Sequence, residues 1–180
     1  MDIQEIVREQ RAFYETGATR PLAFRLDALK KLQAALRANE DALAGALRAD
    51  LGKQPFESYM CETGIVLDEL RYHIRHLARW MRPRAVATPL AQFSAKSFTS
   101  PEPYGVALIM APWNYPVQLC LDPLVGAISG GNCAVVKPSA YAPNVSRALA
   151  KLLADTFPPS YIAAVEGGRE QNTALLSQRF

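Results

Sequence analysis

The 180-residue sequence predicts an α/β protein, N-terminal helices followed by a partial wound parallel sheet, on three observations. Apolar residues recur at helical spacing through positions 1–81, prolines break that rhythm between 82 and 104, and from Gly105 onward short apolar runs alternate with helical segments. Such alternation with short connections is the signature of a parallel sheet wound with helices.

The elements follow in chain order. Ile3, Ile6, Val7, Gln10, Phe13 and Tyr14 share one face of a first helix, which Gly17 stops. After Pro21, Leu22, Leu26, Leu29, Leu32 and Leu36 mark a second helix ending near Asn39, and a third passes through Leu43 and Leu47 to Gly52. The longest runs from about Glu57 to Met81, with Val66, Leu70, Ile74, Leu77 and Met81 on one stripe. Pro83, Pro89, Pro101 and Pro103 then exclude a continuous helix. Between them AQFSAKSFTS reads either as a strand pairing outside its own segment, with a later part of the chain or another subunit, or as a surface loop.

Val106–Met110 is a continuous apolar run, as a strand covered on both faces requires. A helix from Val117 to Ser129, closed by Gly130 and Gly131, leads to a second buried strand, Ala134–Val136. Pro143 opens a helix over 144–157, residues 161–165 form a third strand, and 170–178 a last helix.

Composition narrows the function classes. A hydrophobic fraction of 49% and a charged fraction of 21% are those of a folded globular chain long enough to bury one substantial core. The net charge of +3 is spread along helical faces with no dense Lys/Arg block, so no nucleic-acid partner is expected. Acids interrupt the N-terminal apolar residues, which excludes a signal peptide, and no apolar run approaches the ~20 residues of a membrane span. Cys61, Cys120 and Cys133 are an odd number without C-x-x-C spacing, which indicates neither a disulfide framework nor a zinc site and places the chain in the cytoplasm.

Ligands of open α/β sheets bind beyond the carboxyl ends of the strands. Here those ends are Ala111-Pro-Trp-Asn-Tyr-Pro116, Lys137-Pro-Ser-Ala140 and Glu166-Gly-Gly168, close enough together to line one cleft. Lys137 at the end of an apolar strand is either a cation for a nucleotide ribose or phosphate, or a side chain snorkelling from the sheet edge. Asn114, between Pro112 and Pro116, is either an amide donor to a carbonyl oxygen that gains charge, or a cap or Asx-turn residue. Trp113 is either core or cofactor wall. No G-x-G-x-x-G and no P-loop follows a strand. His73 and His76 are read as exposed or capping residues, no metal site is expected, and no cysteine stands beside a base.

PWNYP at 112–116, VVKPS at 135–139 and EGG at 166–168 together resemble the aldehyde dehydrogenase superfamily, and EPYGVALIMAPWNYP with GAISGGNCAVVKPS resembles its class 3 branch. The similarity runs over essentially the whole chain, including FESYMCETGIVLDEL. It implies the Rossmann-like cofactor domain of such an enzyme: a helical layer at 1–81, a strand of the oligomerisation region at 82–104 and a partial NAD(P)-binding βαβ unit at 105–180. It also implies oxidation of fatty or aromatic aldehydes to carboxylic acids by a cysteine thiolate and NAD or NADP, in a homodimer.

Under the resemblance Asn114 stabilises the oxyanion, and Lys137 with Ser139 holds the adenosine ribose or its 2′-phosphate. Met110, Ala111, Pro112 and Trp113 wall the cofactor, and Gly168 lies near the adenine. Ala140 stands where the family often has a ribose-binding Glu, which predicts a lean toward NADP or dual use. The general base and the nucleophile are not among these residues, so the chain alone is expected to be a truncated, inactive part of the enzyme. The alternatives are a non-catalytic binding or oligomerisation module derived from the family, or an acyl-phosphate or acyl-CoA reducing relative.

Overall fold

The computed structural model describes residues 2–180, which begin as five helices: α1 (Ile3–Glu15), α2 (Leu22–Ala38), α3 (Glu40–Leu51), α4 (Pro55–Ser58) and α5 (Gly64–Trp80). The predicted 57–81 helix is thus a continuous α4–α5 rod interrupted by a wide π turn at Tyr59–Thr63. Pro55 occupies its first position, where the missing N–H is no loss. Two short antiparallel strands follow, β1 (Arg84–Val86) and β2 (Ser97–Thr99), and then β3 (Val106–Met110), α6 (Gln118–Gly130), β4 (Cys133–Lys137), α7 (Pro143–Thr156), β5 (Ile162–Ala164) and α8 (Arg169–Leu176).

Residues 91–100 are part turn and part strand: Leu90–Gln92 is a 3-10 turn, and within the chain β2 pairs with β1 just upstream, Ala85 opposite Phe98. The reason is local. Thr88 Oγ1 accepts the Ser97 N–H at 3.1 Å and donates to the Ser97 hydroxyl, closing a hairpin that needs no distant partner. Val86, Leu90, Phe93 and Phe98 remain exposed on this arm.

The parallel sheet has the order β3-β4-β5. All five residues of β4 are buried, as its unbroken apolar run requires of a central strand. Helices α1 and α6 pack on β3 and β4, and α7 packs on β5. Leu29, Leu32, Leu36, Leu43, Leu47, Leu70, Leu121, Leu124 and Leu149 are fully buried between the elements. Each contributes about 2 kcal/mol relative to exposure. Polar anchors fix the packing. Buried Arg25 of α2 donates to Thr19 O and Ser129 O, both at 3.0 Å, and so ties α2 to the end of α6. Buried Gln10 of α1 donates from Nε2 to Ala134 O at 2.9 Å and Pro159 O at 3.0 Å, fastening α1 to the sheet.

Gln10→Glu replaces that donor with a carboxylate facing the same two carbonyls. Burial raises its folded pKa above the unfolded value of about 4.3, so stability lost by the variant is small below that pH and grows as pH rises through the raised pKa. Urea unfolding is expected to show a deficit of about 4 kcal/mol at neutral pH and a much smaller one near pH 4. An equal deficit at both pH values would contradict this account of α1 docking.

Candidate functional site

Parallel strands end on one edge, and the register brings the three predicted loops together there. Met110 is the cross-strand partner of Lys137, the Ala111 N–H donates to Lys137 O at 3.1 Å, and the Val165 N–H donates to Val136 O at 2.9 Å. The residues that follow β3, β4 and β5 therefore leave the sheet side by side. Met110, Ala111, Lys137, Ser139 and Gly168 all sit at this edge, with Pro112, Trp113 and Asn114 exposed on the turn beyond it.

Lys137 does not snorkel. It ends the central strand, is 3% exposed, and donates to its own neighbour Pro138 O at 2.6 Å. An ammonium has three donors, of which this contact uses one. Loss of hydration pushes its pKa below the usual lysine range, with Cys120 and Glu166 acting the other way. Glu166 is turned to α7, where its carboxylate accepts from the Ser146 hydroxyl at 3.1 Å. Ser139 closes a turn, its Oγ accepting the Tyr141 N–H at 3.2 Å. At the third loop the Gly168 N–H donates to Gln171 Oε1 at 2.9 Å. A side chain on Gly168 would enter open space. Gly167 is the strained neighbour, at φ +133 with Gln171 packed where a Cβ would be.

Sequence reasoning missed the feature that organises the turn at 112–116. Lys53, just after α3, donates from Nζ to Glu62 Oε1 at 2.6 Å and to the backbone oxygen of Asn114 at 3.1 Å. The same ammonium lies 4.3 Å from the centre of the Tyr115 ring. Glu62 Oε2 accepts the N–H groups of Val117 at 2.8 Å and Gln118 at 3.0 Å, the first amides of α6. Both side chains are withdrawn from water, with 10% and 0% exposure. Glu62 sits in the π turn, the kind of helical irregularity that collects at functional sites. Gly64 permits that turn, because a Cβ there would stand 2.6 Å from Tyr59 O. The available signal was Glu62 itself, an acid four residues before Val66 on the buried stripe of the long helix.

The remaining candidates resolve differently. His73 is not a free surface residue: its ring meets the Ser129 hydroxyl at 2.6 Å and Glu69 at 2.9 Å, whereas His76 is half-buried between Tyr72 and Trp80 and bonds Tyr72 O. Trp113 is 55% exposed on the turn and therefore not core. Among the described residues no group of three or more His, Cys, Asp or Glu is placed to hold a metal. Cys120 and Cys133 are buried free thiols, and lost hydration pushes each up to about 12.

Comparison with known proteins agrees with this architecture. A family model described as "Aldehyde dehydrogenase family" matches residues 1–179. The chain is 41% identical over 178 residues to 4,4'-diaponeurosporen-aldehyde dehydrogenase of Staphylococcus aureus, covering 99% of this chain and 39% of that protein. It is 40% identical to aldehyde dehydrogenase family 3 member B1 of Homo sapiens, covering 98% and 38%. A substrate-bound structure of Staphylococcus aureus AldH superposes with a TM-score of 0.95 at 41% identity, covering 98% of this chain and 38% of that one. Succinic semialdehyde dehydrogenase from Streptococcus pyogenes, in complex with NADP+, shares the fold with a TM-score of 0.83 at 17% identity, covering 98% and 38%. The chain thus spans well under half the length of these relatives.

Two outcomes follow from the buried groups. Glu62→Ala strands the Lys53 ammonium and two amides, and is expected to cost about 3–5 kcal/mol in urea unfolding; a loss below about 1 kcal/mol, the worth of a surface pair, would contradict the description. Thiols raised from 9.0 to about 12 give stability that is complete below pH 9 and lost as pH climbs toward 12. Iodoacetamide near pH 8 is therefore expected to label Cys61 in the native chain and the other two only after unfolding. Three rapid native adducts by mass spectrometry would refute that burial.

Proposed function

This chain belongs to the aldehyde dehydrogenase family, and from that premise we propose that it forms the cofactor-binding part of an NAD(P)-dependent enzyme oxidising fatty or aromatic aldehydes to carboxylic acids. The observation that carries the reading is the placement of Asn114: it is exposed on the turn leaving β3, on the same sheet edge as Lys137, with its own carbonyl already engaged by Lys53. Its Nδ2 amide is therefore available to donate to an aldehyde oxygen that gains negative charge, a contact that strengthens in the transition state.

The residues at the strand ends fit a dinucleotide. A buried ammonium with open donors suits ribose hydroxyls or a phosphate, the clear backbone at Gly168 admits the adenosine end, and Met110, Ala111, Pro112 and Trp113 form the wall beside them. When bound, the nicotinamide accepts the hydride from the substrate carbon. Ala140 offers no carboxylate to repel a 2′-phosphate, and Glu166 is held by Ser146, so the preference leans to NADP or is dual. Cys120 and Cys133 are buried as neutral thiols and Cys61 lies in the π turn away from the strand ends, so in this reading the nucleophile is supplied from outside these residues and the 180-residue chain alone is inactive. The exposed apolar β1–β2 arm is the surface for a homodimer, and the free thiols suit the cytoplasm. None of the described helices is long and apolar enough to cross a membrane.

The test is a full-length enzyme in which residues 1–180 replace the matching segment of the Staphylococcus aureus relative. Aldehyde-dependent NADPH formation is expected from it and not from the isolated chain. Asn114→Ala is expected to lower kcat about a hundredfold or more, since a lost oxyanion donor has that effect. A change within about twofold would remove Asn114 from the chemistry. In titrations NADP is expected to bind at least as tightly as NAD, and NAD binding about tenfold tighter would reject the cofactor preference.

A further inference from the structure

An oxyanion donor works only if it is held in place before the charge develops, and a misplacement of about 1 Å costs about a hundredfold in rate. The turn bearing Asn114 has little of its own to hold it. Pro112 and Pro116 each fix one φ angle, but Asn114 and Tyr115 between them are exposed and keep both soft dihedrals. β3 ends at Met110 and α6 begins at Gln118; the α6 ladder reaches back only to the Tyr115 oxygen, which accepts the Leu119 N–H at 2.9 Å, and stops short of Asn114.

We propose that Lys53 and Glu62 are positioning residues for Asn114, a buried ion pair that clamps the turn so that its amide is presented in one orientation; this rests on the reading of Asn114 as the donor to the aldehyde oxygen. The clamp closes on the turn from two sides. Lys53 takes the Asn114 carbonyl at 3.1 Å and stands 4.3 Å from the Tyr115 ring centre, so one ammonium holds two successive residues. Glu62 takes the Val117 and Gln118 amides, which fixes where the turn enters α6 and satisfies N–H groups that have no partner inside the helix. A carboxylate is also the favoured group at that positive helix end.

Neither charge serves alone. Lys53 without Glu62 is a buried cation against one carbonyl, and Glu62 without Lys53 is a buried anion. Their 2.6 Å contact makes the two halves of the clamp one unit, anchored in the π turn rather than in the sheet. Neither side chain reaches substrate in this arrangement, because both of their ends are occupied by the protein. They act through Asn114.

The test uses the 180-residue chain, labelled with 15N, and reads backbone and side-chain order parameters of Asn114. In the wild type Asn114 is expected near 0.85, the value of rigid backbone, and in Lys53→Met below about 0.6. Lys53→Met leaves Glu62 without its counter-charge, so the neutral double variant Lys53→Met/Glu62→Gln is measured beside it. The inference expects both variants to loosen Asn114 and Tyr115 while β3, β4 and the body of α6 keep wild-type order, and Lys53→Arg, which keeps charge and donors, to retain the ordered turn. Unchanged order at Asn114 in the folded double variant overturns it. So does a loss spread evenly through the core, because that is a structural role and no clamp. The Asn114→Ala kinetics are independent: their failure would withdraw the oxyanion reading while leaving the measured ordering of the turn intact.

Discussion

Two opposite charges taken out of water between α3, the π turn and α6 set the constraint around which the turn at 112–116 is built. Burying an ammonium or a carboxylate costs several kcal/mol, and attraction between them offsets this only when geometry is good and the remaining donors and acceptors are used. Both conditions hold for Lys53 and Glu62. The contact is 2.6 Å, and the further partners are a carbonyl, an aromatic face and two helix-terminal amides. Two stretches of chain distant in sequence must therefore arrive together: the exit of α3 with the π turn, and the 112–116 turn with the start of α6. An apolar pair of similar volume would fill the space but would satisfy none of the backbone groups, and the turn would lose its fixed ends.

The sheet supplies the other half of the site by a different principle. Parallel pairing of β3, β4 and β5 brings three loop exits to one edge, and apolar burial on both faces of β4 keeps that edge in register. Lys137 belongs to this rigid frame, its backbone oxygen bonded to Ala111 and its side chain drawn in to Pro138. The strand-end edge is thus fixed by strand pairing at Lys137 and by an ion pair at the turn that carries Asn114.

Much of this was legible in the sequence because it depends on periodicity. The leucine stripes of α2 and α3, the unbroken apolar run of β4 and the glycine that stops α6 are local signals whose physics does not need the rest of the chain. The gathering of the strand exits on one edge was legible too, since parallel pairing forces it. What escaped depends on contacts between distant residues. The hairpin at 82–104 is set by one threonine meeting Ser97, with no apolar alternation to announce it. Lys53 follows a helix-ending glycine and reads as surface, and nothing in its neighbours points to Asn114, 61 residues away. Glu62 carried a signal, an acid on an apolar stripe, but only the widened turn shows that its carboxylate leaves the stripe for α6.

Hydrogen exchange of single amides in the native chain tests the clamp most directly. If Glu62 holds the start of α6, the Val117 and Gln118 amides exchange as slowly as those of β4, because their release requires the buried ion pair to open. The first amides of α1, Gln4 and Glu5, have no side-chain cap and serve as the internal reference for a free helix start. Protection of Gln118 far above that of Gln4 is the predicted result. Exchange of Gln118 at the rate of Gln4 would contradict the account, since the carboxylate would then not be holding the turn.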